Sequence, residues 1–180
     1  MVKEYIRDYA MYAAVFGLFS SVWFGWAQEN PRKNWLIYIR VASVIAVIVC
    51  LLGFYLSGTH WQAASMLNEQ TNFKTYLIVF YGEMAIGGIG AIALFLLKHQ
   101  EYTAAWIALV VGVHFIALKS VFDDSSLYVL AAIMILISLA SPFIARKLDV
   151  AISAVTGIGN GLTLLVYALS GLIRFMLAIA

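Results

Sequence analysis

Six predominantly apolar runs follow one another along this chain, at residues 9–28, 35–58, 76–97, 102–122, 127–145 and 151–173. A helix of about 20 apolar residues is what crosses the roughly 30 Å hydrocarbon core of a bilayer. None of the runs alternates apolar and polar residues as a half-buried strand does. Lipid offers no partners to backbone N–H and C=O groups, so a spanning segment satisfies them within its own helix. The expectation is an all-α fold: a polytopic integral membrane bundle of six transmembrane helices, forming one domain over 1–180. Composition agrees, because 64% of the residues are hydrophobic and only 11% are charged. A soluble domain has about 25% charged residues, so there is too little polar surface here to coat a globule in water. The first run follows Lys3, Glu4, Arg7 and Asp8. That mixture of signs, and an apolar stretch longer than the roughly 7–15 residues of a signal-peptide core, mark it as a retained span.

The breaks between runs carry turn chemistry. "ENPRKN" places Pro31 where a helix stops or starts, and "KHQE", "FDDSS" and "RKLDV" are short enough to join antiparallel neighbours. The longest break, "THWQAASMLNEQTNFKT", is expected to hold a short interfacial helix near 60–69. Arg32, Lys33, Lys98, Arg146 and Lys147 lie in the odd-numbered loops, and Lys3, Arg7 and Lys74 on the other side. Basic loops stay cytoplasmic, which puts both termini outside a cell membrane. Trp23, Trp26 and Trp35 near one face, and Tyr9 and Tyr12 near the other, have the placement of an aromatic belt.

Within this pattern "YGEMAIGGIG" (81–90) is anomalous, because Glu83 lies inside an apolar run. Counted from residue 76 at 1.5 Å per residue, its depth is roughly 10 Å. A charge there costs several kcal/mol unless it is paired, protonated or wetted, so Glu83 should face the bundle. Gly87, Gly90 and Ala91 share its helical face, and small residues let a second helix come close. His114 in the fourth run lies roughly 12 Å from its outer end, a matching depth on an antiparallel neighbour. If the two meet, the imidazole donates to the carboxylate or shares a proton with it; the other reading is a buried structural hydrogen bond that fixes helix packing. Lys119 precedes Asp123 by four residues and reads as a snorkelling cation or an i,i+4 pair; the other reading is a charge at the mouth of a site. Arg40 and Arg174 read as snorkelling cations too. "VTGIGNGLTLL" in the sixth run places Asn160 near mid-membrane between Gly157, Gly159 and Gly161. Glycine-interrupted spans third in each half are a pointer to a 3+3 inverted repeat, while Gly157 and Gly161 alone make a small-xxx-small packing step.

His60, His99 and His114 are far apart in sequence, so no metal is expected, nor any cofactor. The net charge of +2 without a basic aromatic run argues against nucleic acid. The single cysteine, Cys50, excludes an internal disulfide. The expected function is a small transporter, or the solute-binding subunit of one. Its polar site would be Glu83 and His114, with Asn160, Lys119, Tyr81, Trp106 and Tyr167 as further contacts. Partners would be the bilayer, a small solute or ion, and a second copy or another membrane subunit. The alternative is a ligand-binding or sensing protein without a transport cycle. An intramembrane enzyme would lack a nucleophile.

Overall fold

The computed structural model describes residues 5–180; Lys3 and Glu4 lie outside the described residues. The described chain forms α1 (Ile6–Trp26), α2 (Leu36–Thr59), α3 (Gln70–Leu96), α4 (Thr103–Phe122), α5 (Ser126–Leu148) and α6 (Ile152–Ile179). Single 3-10 turns, at Lys33–Trp35, Met66–Asn68 and Gln100–Tyr102, precede α2, α3 and α4. Among the described residues there is no strand. The helices from α2 to α6 are each long and apolar enough to cross a membrane, which is consistent with a multi-pass integral membrane protein. Large apolar side chains on the outer faces of α2 and α3, among them Val44, Leu51, Ile78 and Ile89, are exposed. A lipid solvent accommodates such a surface and water does not.

Five helices rather than six meet that standard, and α1 is the exception. Its run is diluted by Tyr9, Tyr12, Ser20, Ser21, Gly17 and Gly25, and Arg7 and Asp8 lie in its first turn. Of these, Asp8, Tyr12, Gly17 and Ser20 are nonetheless buried in the bundle. Ala10, Tyr12, Ala13, Ala14, Phe16, Trp23 and Phe24 of α1 are all buried, and α2 and α6 are the helices packed most closely on it. Close approach is built from missing side chains. Gly53 of α2 faces the backbone of Ala13 and Ala14, Gly17 of α1 faces Cys50 and Ala46, and Gly157 of α6 faces Trp23 and Ala27. Van der Waals contact over such faces is what holds helices together where lipid competes for every apolar surface. The Ser20 hydroxyl adds a 2.7 Å hydrogen bond to the Gly161 carbonyl across the α1–α6 seam.

From α3 onward each helix packs against the next, whereas α2 and α3 make little or no contact. A two-fold repeat would pair α2 with α3 as it pairs α5 with α6. Helix α3 is peripheral: Gly87 is its one buried residue, and α4 is the main helix that holds it.

The α2–α3 connection differs from expectation. No helix covers 60–69; a single turn at Met66–Asn68 is capped by Ser65, whose Oγ accepts from the Leu67 N–H at 3.1 Å. Helix α3 begins at Gln70, six residues before its apolar run, because the polar "QTNFKT" is already helical. The loop is tied to the start of α1. Arg7 donates to the Trp61 carbonyl at 2.8 Å and to Asn68 Oδ1 at 2.7 Å, and Asp8 accepts from the Met66 N–H at 2.8 Å.

Candidate functional site

Helices α1, α3 and α4 enclose a cavity of about 360 Å³, with the α2–α3 loop across one end. Helix α1 contributes Tyr12, Phe16, Phe19 and Trp23 to the wall, spaced at i, i+4, i+7 and i+11 so that they share one face. Tyr76 and Phe80 of α3 and Phe115 and Phe122 of α4 continue the aromatic lining. Phe16 and Phe115 meet edge to face with centroids 5.7 Å apart, and Tyr12 and Phe122 likewise at 5.7 Å. Arg7 and Asp8 lie at the loop end, and Glu83 and His114 line the interior.

Glu83 Oε2 lies 3.2 Å from His114 Nδ1, with side chains 18% and 14% exposed. The ring and carboxylate are close without being aligned, and Nδ1 has no hydrogen-bond partner. The proximity follows from the two antiparallel helices and their short connection. The glycines beside Glu83 have a separate explanation. Trp106 of α4 donates its Nε1–H to the Gly87 carbonyl at 3.2 Å, and its indole lies where a side chain on Gly90 would be. The small face of α3 is thus the seat of a tryptophan that fixes α3 to α4. Trp106→Ala is expected to weaken that attachment by about 2 kcal/mol, since a large half-buried ring is lost. Faster amide hydrogen exchange confined to α3 would report it.

The other singled-out residues lie elsewhere. Trp106 lines a second hollow of about 480 Å³ between α3, α4 and α5, open and almost wholly apolar, with no charged group in its wall. That surface suits a lipid chain, not chemistry. Tyr81 is 65% exposed and lines neither cavity. Asn160 is completely buried in α6 beside Gly157 and Gly161, whose faces meet α1. Its Nδ2 donates to the Thr156 carbonyl at 3.0 Å, its Oδ1 has no partner, and it does not reach the cavity. The Tyr167 hydroxyl donates to the Ser126 carbonyl at 2.7 Å while its ring abuts Phe16. Lys119 pairs with Asp123 at 3.4 Å along its own helix, and Arg40 is exposed, its Nε reaching Gln28 Oε1 at 3.4 Å.

Sequence reasoning missed three polar anchors. Two are Arg7 and Asp8. The third is Asp124, between α4 and α5, which accepts from Arg174 at 2.6 Å and from the Ser126 N–H at 2.9 Å. Burial alone would raise its carboxyl, but the hydrogen bonds from Ser126 and Arg174 outweigh that and hold it below the usual aspartate range. Its folded pKa is therefore below its unfolded one. The ionised group adds stability at neutral pH, and that contribution is lost as pH falls through the ordinary aspartate range to the folded value. Asp124→Asn should flatten the acid side of a melting-temperature profile, and an unchanged profile would remove Asp124 from the account. Among the described residues no cluster of three or more His, Cys, Asp or Glu side chains could hold a metal ion.

Comparison of the chain with family models, with curated proteins and with solved structures gives no match.

Proposed function

We propose that this chain is a small transporter, or the solute-binding subunit of one, and that its solute occupies the cavity between α1, α3 and α4. The observation that carries the reading is the placement of Glu83 and His114, 3.2 Å apart, in the wall of a cavity lined mostly by aromatic and aliphatic side chains. An intramembrane acid that lines a cavity is the usual mark of a solute or proton path. Cavities of roughly 300–1,000 Å³ with few polar groups are typical of small-molecule sites. The wall selects for a body that is mostly apolar. Glu83 and His114 supply a place away from the loop end where a polar group or a proton is exchanged. The peripheral attachment of α3 gives the cavity a wall that can move without disturbing the α1–α2–α6 core.

Native mass spectrometry of the detergent-extracted protein tests the first part, since a retained small molecule should appear as a discrete added mass. Counterflow of that compound in proteoliposomes tests the second. Binding without counterflow would make the chain a binding or sensing protein instead, and the absence of any retained mass would count against the cavity.

The reading includes six spans in a cell membrane with both termini outside, α1 crossing as the shielded central helix. Asn34 and Asn68 are exposed in connections on opposite sides of that arrangement. In a Cys50→Ala background, cysteines at these two positions should react with an impermeant maleimide from opposite faces. Reaction of both from one face would refute the topology.

A further inference from the structure

The solute class follows from the charges in the cavity wall, an argument that rests on the cavity being the binding site. We propose that the cavity takes a lipophilic cation, a compact apolar body carrying one positive charge, with Glu83 as its counter-ion.

Three formally charged residues line the cavity. Arg7 is already engaged: it donates to the Trp61 carbonyl and to Asn68, and its guanidinium lies 4.9 Å from the Trp61 ring centroid. Asp8 beside it accepts from the Met66 backbone, and the two charges offset one another at the loop end. Glu83 has no such offset. Among the described residues no lysine or arginine pairs with it, and the nearby imidazole is not aligned to donate. The wall therefore carries one uncompensated carboxylate among ring faces and aliphatic groups. An anionic solute would place a like charge beside Glu83. A neutral solute would leave the carboxylate with only His114. A cation neutralises it, and the aromatic lining adds attraction through the ring quadrupoles.

Protons should compete with such a cation. The groups that share the cavity with Glu83 are Arg7, Asp8 and Tyr12 from α1, Tyr76 from its own helix and His114 from α4. Arginine and tyrosine keep their state through the acid and neutral range. Protonating Glu83 removes the counter-ion, protonating His114 adds a repelling charge, and protonating Asp8 leaves Arg7 unopposed. All three titrations weaken cation binding as pH falls.

The test uses the full chain in detergent with three probes: tetraphenylphosphonium, its near-isosteric anion tetraphenylborate, and neutral N-phenyl-1-naphthylamine. Tetraphenylphosphonium should bind saturably and at least about tenfold more tightly than tetraphenylborate. Its affinity should fall by about tenfold or more between about pH 8 and about pH 5. Glu83→Gln should weaken the cation by about tenfold and remove most of that pH dependence, while naphthylamine binding stays, which also shows that the variant is folded. Equal affinity for the two ions, or unchanged cation binding in folded Glu83→Gln, overturns the cation class. The cavity reading survives those results if naphthylamine binds. Failure of all three probes overturns both. Should Glu83→Gln not fold, the cation–anion comparison on the unaltered chain still decides.

Discussion

Adding one methyl group to Gly53 should destabilise this protein severely, while the same change five residues later at Gly58 should not. A Cβ on Gly53 would lie 2.7 Å from Ala13 C and from Ala14 Cα, both backbone atoms of α1, whereas one on Gly58 would meet nothing within 4 Å. Backbone cannot rotate aside as a side chain does, so α1 and α2 would have to separate along the seam that buries Ala13, Ala14, Ala46 and Cys50. Overpacking of this kind costs about 1–3 kcal/mol and sometimes more. Separation of backbones puts Gly53→Ala at about 3 kcal/mol, and Gly53→Leu beyond what the fold tolerates. Gly58→Ala should be neutral or stabilising by about 0.5–1 kcal/mol, because it removes glycine's backbone entropy from a helix without creating a clash. Thermal melts of the two alanine variants in one detergent give the comparison. Equal melting temperatures would mean that α1 and α2 are not packed as described.

The second large effect is expected at the carboxyl–imidazole pair, in function rather than in folding. Glu83→Gln keeps the shape of the side chain and places a neutral amide among the aromatic and aliphatic groups of the cavity wall, so the protein should remain folded. It should lose most of the pH dependence of ligand binding. His114→Ala should change that dependence in the same sense. The double variant should be no worse than the worse single one, because residues in one network do not contribute independently. Additive losses would show that the 3.2 Å approach has no part in binding. A coupling seen only in stability, with ligand response intact, would make the pair a packing contact worth under about 1 kcal/mol.

How far the sequence could be read depended on which solvent each residue faces. Helices and their order were legible because runs such as 35–58 and 151–173 have no aqueous alternative. The meeting of Glu83 and His114 was legible in depth, since 1.5 Å per residue and a tight loop fix height. Rotation was not. In a water-soluble helix the apolar stripe marks the buried face, but here lipid-facing Leu51 and core-facing Val49 are equally apolar, and the usual periodicity carries no direction. Small residues carry it instead, and the Gly157–Gly161 step is the face turned to α1. The same blindness hid the aromatic series of α1, whose spacing was available but whose orientation toward the cavity was not. Polar residues outside the apolar runs misled in another way. Hydropathy locates where lipid begins, not where a helix begins, and so α3 starts at Gln70. Arg7 and Asp8 reach across more than fifty residues to the loop, a pairing that no local pattern announces.

The seam between α1 and α6 has a consequence for biosynthesis. Helix α1 leaves the ribosome first, and its deepest packing partner is made only after four other helices. Until α6 arrives, Ser20 has no Gly161 carbonyl to bond, and the small face of α1 has only α2 against it. The nascent chain must wait in the membrane with its centre half-assembled. Any factor that shields polar or small-residue faces of newly inserted helices would act on α1 during that interval. A photo-crosslinking residue in place of Ser20 should therefore capture lipid or such a factor in chains truncated before α6, and α6 itself in the full-length protein.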